Sequence, residues 1–537
     1  MKKLLAILLA LVMVFSLVAC GGGKDAGTDG NDAAAGGNDA AAGGETGGET
    51  GGGDPDRVLR IGFSQDRGTL DPMYMIGYDS LNAMFMVYEP LWDFTQDGEQ
   101  VFVLATELDI SNPTRWIVKL REGVTFANGN PLTAEDVVFS LEKGNNRTGE
   151  PAYLPELDLE NTKALDEHTV EIAFFNYDMS YVYSMCCLVI FDAESYDAEE
   201  IAKTANGTGP YQIDDYVINS HISMSAREGY WGEAPAIKNL YFKVLAEDAQ
   251  KTNSIETGEV DICAVPYQDV SYVQGLEGYN VQVFSNAQSR ALYMNTSEHS
   301  VFYNNDDARM AVALAIDRDA ILNIVYSGVG EVSQFPLSKG NFGVKDSYLN
   351  LGAYGEGYNP EKAKQLAESS GLVNETIKLV TNGSADFVTC AELIQNNLKE
   401  IGVAVEIVNY DAGSWLSVAF DPTAYDMCVD STYVPSKTIA QNMQAWTLYH
   451  VGGAFANPAW PWVGQARYLE LIDGIMAISD PAELDTRYQE MIEIHSTALT
   501  WYSLVDLSTA TAYSADLEGW NIMNLGNTNY AKLSWAN

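Results

Sequence analysis

Apolar side chains in "RWIVKLREGVTF" alternate, so that Trp116, Val118 and Leu120 share one face, the spacing of a half-buried strand. "HTVEIAFF" repeats that period at 168 to 175, and "RVLRIGFSQ", from Arg57, reads as an opening strand. Strands with few helices between them predict an antiparallel patch around 95 to 204. Within it, "GVTFANGNPLTAEDVVFSLEKG" holds a turn at Asn128-Gly129, a pair that tolerates positive φ. A helix follows, in which Thr133 is placed to accept a free backbone N–H and Asp136 to reach back. Val137, Val138 and Leu141 give that helix its apolar stripe.

After Ile201 the pattern changes. "GTGPYQIDDY" has turn formers and then a strand, and "IKNLYFKVL" is another strand. "DAQKTNSIETGEVDICAVP" reads as a helix ending at Gly258 and a strand running to Pro266. From about residue 300 helices dominate. "NNDDARMAVALAIDRDAILNIVYSG" predicts two, capped by Asp306 or Asp307 and by Asp317, with Gly328 as the stop. "YNPEKAKQLAESSG" has Asn359 as N-cap, Pro360 at the first helical position and Gly371 at the end. "DFVTCAELIQNNLKEIG" lines up Phe387, Ala391, Ile394, Leu398 and Ile401, and the strand "VAVEIVNY" follows. Such βα alternation argues for a second α/β lobe.

The first residues follow a different logic. Lys2 and Lys3 precede an apolar run from Leu4 to Val18, too short to span a bilayer. The run ends in Leu17-Val18-Ala19-Cys20, which resembles the bacterial lipobox, and implies a lipid on Cys20. Residues 21 to 55 are almost all Gly, Ala, Asp, Asn, Thr and Glu, unable to bury a core. They read as a tether with a reach of about 30 Å. The remaining 57–537 is long enough for two or three domains.

Charge narrows the partners. Seventy-four acids against 30 bases give a formal net charge of −44, a field that repels nucleic acid. Cys186, Cys187, Cys263, Cys390 and Cys428 form no CxxC pair and read as buried free thiols. The five histidines show no HxxxH or HExxH spacing, so neither metal site nor cofactor is expected. GxSxG, zinc and Gly-rich phosphate motifs are missing too, and a secreted hydrolase is the minor reading.

Taken together the blocks resemble the family 5 extracellular solute-binding proteins, the peptide- and nickel-type receptors of ABC importers. They are "LDPMYMIGYDSLNAMFMVYEPLWDF", "WIVKLREGVTFANGNPLTAEDVVFSLE", "GTGPYQI", "TGEVDI", "YMNTSEHSVFYNNDDARMAVALAIDRDAIL" and "YNPEKAKQLAESSG", in family order from Arg57 onward. The resemblance implies an α/β, two-lobed periplasmic-binding-protein-like (type II) fold with an extra domain on the first lobe. Lobe one would take 57–94, 205–290 and 506–537, the extra domain 95–204 and lobe two 291–505. A monomeric receptor, lipid-anchored on the outer face of the membrane, would enclose a solute by hinge closure and deliver it to an ABC permease. The solute would be an oligopeptide, or alternatively an oligosaccharide or other organic molecule.

Candidate contacts carry over by position. The loop after "LDP" supplies Met75, Ile76 and Tyr78, while "ALYMNTS" supplies Tyr293 and Asn295. In "AYDMCVDSTYVPSK" the chain departs from relatives, lacking their Trp and the matching acid. Asp430 is the nearest carboxylate to take a peptide's amino group, with Tyr433 beside it. Among the aromatics of 415–462, Trp446 and Trp460 lie in a Gly/Pro/Asn-rich setting and suit stacking on a ligand, whereas Trp415 and Trp462 read as core.

Overall fold

The computed structural model describes residues 57–74, 81–96, 98–145, 157–178, 180–432, 438–448, 450–523 and 526–536. Cys20, the leader and the tether lie outside them, as do Met75, Ile76, Tyr78 and Tyr433.

An 11-stranded mixed sheet organises the chain. From one edge the order is Ala404–Asn409, Thr376–Thr381, Met427–Thr432, Tyr279–Met294, Trp501–Ser514, Ile262–Val265, Val58–Phe63, Asn239–Val244, His221–Ala226 and Tyr211–Val217. Gly330–Val332 adds beside Trp501–Ser514. Two strands are far longer than the rest, Tyr279–Met294 with 16 residues and Trp501–Ser514 with 14. They pair antiparallel along their length, from Tyr279↔Ser514 to Tyr293↔Trp501.

Midway the register slips between Ser285 and Gln288. Ala287 sits in that bulge at φ +56, a left-handed conformation that a non-glycine residue rarely adopts. On one side of the bulge the outer partner is Ile262–Val265; on the other it is Met427–Thr432. The long pair is therefore the double crossing between the halves of a two-lobed α/β fold.

Alternation then builds separate cores on the two faces of the second half. Leu292, Met294, Met427 and Val429 bury against Ala308, Val312 and Ile394 on one face. Ala291, Tyr293 and Cys428 bury against Met443, Phe455 and Trp501 on the other. The first half has its own core around Leu59, Ile61, Trp92, Leu240 and Phe242.

A separate antiparallel sheet runs Ala105–Asp109, Arg115–Leu120, Thr169–Ala173, Lys163–Asp166, with Trp116, Val118, Leu120, Val170 and Ile172 turned inward. The helix Ala134–Asn145 follows the Asn128-Gly129 turn, where Gly129 has φ +93. Asp136 does reach back, accepting both the N–H and the hydroxyl of Thr133 at 2.8 Å. The hydroxyl thus donates to Asp136, where the pattern had it accepting a backbone N–H. The other oxygen of Asp136 takes the Ala193 N–H at 2.8 Å, so the cap also pins a distant segment.

One cap differs from the sequence reading. Helix Asp306–Ala315 is capped by Asn305, which accepts the Ala308 N–H at 3.2 Å. Asp306 and Asp307 instead occupy the first turn, where their charge meets the positive helix end. Asp317 and Asn359 cap as expected, and Gly328 and Gly371 follow their helices at φ +78 and +81. All five described cysteines are buried, and none is in a disulfide. No described helix is long and apolar enough to cross a membrane.

Candidate ligand-binding site

The second half of strand Tyr279–Met294 lies against Met427–Thr432, with Ala291 opposite Asp430 and Tyr293 opposite Cys428. Side chains two apart on a strand share a face. Tyr293, Cys428 and Asp430 therefore stand together, and helix Ile439–Leu448 with the 3-10 segment His450–Ala456 covers them. The Tyr293 ring centroid lies 3.8 Å from that of His450 and 5.8 Å from that of Trp446. Trp446 meets His450 edge-on at 5.2 Å, and Phe420 meets it at 5.9 Å. Trp446 Nε1 donates to Asn442 Oδ1 at 3.3 Å.

Electrostatics here are set by burial. Asp430 keeps part of its surface open, yet the surrounding protein pushes its carboxyl up to about 6. The Ser431 N–H, donating to Asp430 Oδ1 at 2.8 Å, and the nearby Arg290 pull the other way. Burial also pushes the Cys428 thiol upward and holds His450 down at about 3. Arg290 itself is committed, donating to Tyr326 at 2.7 Å, Ser431 Oγ at 2.8 Å and Asp386 at 2.6 Å while lying over the Phe387 ring.

The fold thus gathers three of the residues singled out in the sequence, Tyr293, Asp430 and Trp446. Two others stand apart. Asn295 is fully buried and spends its amide on the Pro422 and Tyr425 carbonyls at 2.7 and 2.8 Å, while Oδ1 accepts the Ser297 N–H. Trp460 is half-buried after the 3-10 segment, its backbone N–H on the Asn457 carbonyl. Trp415 and Trp462 are interior, as their pattern suggested.

His450 and Cys428 were not singled out. The signal for Cys428 was legible as C-x-D on a strand, which aims both side chains one way. His450 carried none, because its approach depends on the turn after helix Ile439–Leu448. The sequence shows no metal-ligand spacing, yet Cys428, Asp430 and His450 each bring a donor atom within 4.8 Å of the other two.

Two lobes joined by a pair of crossing strands, with acid and aromatic side chains beside the crossing, are the architecture of a solute-binding protein. A family model described as "Bacterial extracellular solute-binding proteins, family 5 Middle" matches residues 99–452, and the chain belongs to that family. Its members are solute-binding components of ABC importers. The probable D,D-dipeptide-binding periplasmic protein DdpA of Escherichia coli is 24% identical over 372 residues, 66% of this chain and 70% of that protein. The glutathione-binding protein GsiB of Shigella flexneri is 22% identical over 498 residues, 87% of this chain and 92% of that one. Among solved structures, the substrate-binding protein CtaP of Listeria monocytogenes superposes with a TM-score of 0.77 at 18% identity, covering 90% of this chain and all of CtaP. The oligopeptide-binding protein AppA of Bacillus subtilis, in complex with a nonapeptide, gives 0.70 at 18% identity, covering 90% of this chain and 99% of AppA.

Proposed function

We propose that the protein is a lipid-anchored extracellular receptor that captures an oligopeptide between its lobes and presents it to an ABC permease. Lobe one comprises 57–94, 205–290 and 506–537, carries the extra domain 95–204, and closes on lobe two, 291–505, about the double crossing. Closing requires open and closed states of similar energy, so that contacts made from both lobes decide the balance. The observation that carries the reading is Asp430, a half-buried carboxylate beside the crossing, on the same face as Tyr293 and close to His450. An ammonium group placed there would restore the charged form that burial disfavours. Trp446 stands close enough to pack a neighbouring peptide side chain. Relatives named for dipeptide, glutathione and nonapeptide ligands support the same class.

A thermal-shift screen over peptide and oligosaccharide libraries tests this reading, because a ligand of the native fold raises the midpoint by mass action. Peptides with free amino termini should give the shifts. Shifts confined to oligosaccharides would overturn the peptide assignment and leave the receptor class standing.

A further inference from the structure

On strand Met427–Thr432 the side chains of Cys428 and Asp430 project to one face, and His450 folds down onto it. The His450 side chain is buried, and neither ring nitrogen has a hydrogen-bond partner among the described residues. A neutral imidazole carries one N–H and one lone pair, so a donor and an acceptor are both left unmatched. Burying such groups unpaired is costly, and each one calls for an explanation. The backbone right after it is strained as well: Val451 has φ +50, followed by Gly452 and Gly453 at +59 and +77. A β-branched residue in that region is an outlier. Strain of that kind persists where the surroundings hold a group in a required position.

We propose that Cys428, Asp430 and His450 form a binding site for one divalent transition-metal ion of the zinc class. A thiolate, a carboxylate and an imidazole are the donor types such an ion takes, and three protein ligands leave a fourth position open. Tetrahedral bonds to sulfur, nitrogen and oxygen place ligand atoms about 3.5 Å apart. From within 4.8 Å of one another, the three donors need only a small contraction. The partly open side of Asp430 provides the entry path and the fourth position. Tyr293, Trp446 and Phe420 wall the imidazole on its remaining sides and fix its tilt.

A dication suits this set: it would take the neutral imidazole through its unpartnered lone pair and favour the deprotonated thiol and carboxyl. Binding releases the Cys428 proton to solvent, and no electron transfer is involved. The site does not rest on the peptide reading. Metal and ammonium would compete for Asp430, so the test is run without peptide.

The experiment titrates the purified full-length chain, stripped with a chelator, with cobalt(II) and then zinc(II). One equivalent of cobalt should produce a thiolate-to-metal charge-transfer band, lost in Cys428→Ser. Zinc affinity, measured by competition with a chromophoric chelator, should fall in His450→Gln by more than the roughly 10- to 100-fold cost of losing a supporting hydrogen bond. Circular dichroism checks that both variants fold. X-ray absorption at the zinc edge of the unaltered protein gives an independent readout, with one sulfur and two or three light scatterers expected. No saturable binding, or affinity unchanged by both substitutions, overturns the site. A shell with no sulfur does the same.

Discussion

Asp506 accepts the hydroxyl of Ser289 at 2.8 Å, so one crossing strand holds the other through buried side chains just beyond the bulge. Its second oxygen takes the Lys339 N–H at 2.9 Å, and Ser333 donates as well. Burial outweighs these three donors and pushes the carboxyl up to about 6 from an ordinary value near 3.8. A carboxyl raised on folding binds more protons in the native state, so its contribution to stability is largest at low pH and is lost as pH rises through 4 to 6. The difference is about 3 kcal/mol for a shift of that size. Unfolding midpoints of the natural chain and Asp506→Asn, measured from pH 7 to pH 4, should therefore diverge in favour of the natural chain on acidification. A constant gap would mean that Asp506 does not titrate in this range.

Gly340 packs onto the bulge itself. A Cβ there would lie 2.3 Å from Ser285 Oγ and 3.0 Å from Ala287 Cα. Gly340→Ala should cost about 1–3 kcal/mol, as overpacking does. The chemical-denaturation midpoint reads it directly. An unchanged midpoint would show that the bulge yields, and that Ala287 is less firmly held than its surroundings imply.

For the ligand, Asp430→Asn should weaken peptides with a free amino terminus far more than their N-acetylated forms. Loss of a buried charge pair partner typically costs 2–5 kcal/mol, roughly 30- to 5000-fold in affinity. Calorimetry on matched peptide pairs settles it. Equal losses for both forms would remove Asp430 from amine recognition and point to a purely structural effect on strand Met427–Thr432.

Cys20→Ala should move the protein from the membrane fraction to the medium, because an unmodified chain lacks the acyl anchor. Immunoblotting of the fractions checks this. Retention of the variant at the membrane would refute the lipobox reading.

Strand and helix positions were legible where local chemistry decides them. Trp116, Val118 and Leu120 alternate because the strand has one buried face, and Asn359-Pro360 caps because a Pro at the first turn loses no hydrogen bond. The pattern favours the acidic neighbours of Asn305, since Asn and Asp both cap helices and only the entry angle of the chain selects one. The two long strands were harder. "ALYMNTS" and "TWYSLVDLSTATAYS" are separated by hundreds of positions, and nothing in either segment names the other. The site divides in the same way. Asp430 is legible through its neighbours in sequence, whereas the approach of His450 depends on a turn whose next three residues have positive φ, and Asn295 ties down the distant Pro422 and Tyr425 carbonyls.

Because Trp501–Ser514 lies between strands of both halves, a nascent chain that stops short of Trp501 has neither half of its sheet closed. Pairings this distant form late and slowly. During synthesis the sheet therefore stays unfinished until the Trp501–Ser514 segment has emerged, and the chain before it must wait with an open strand edge.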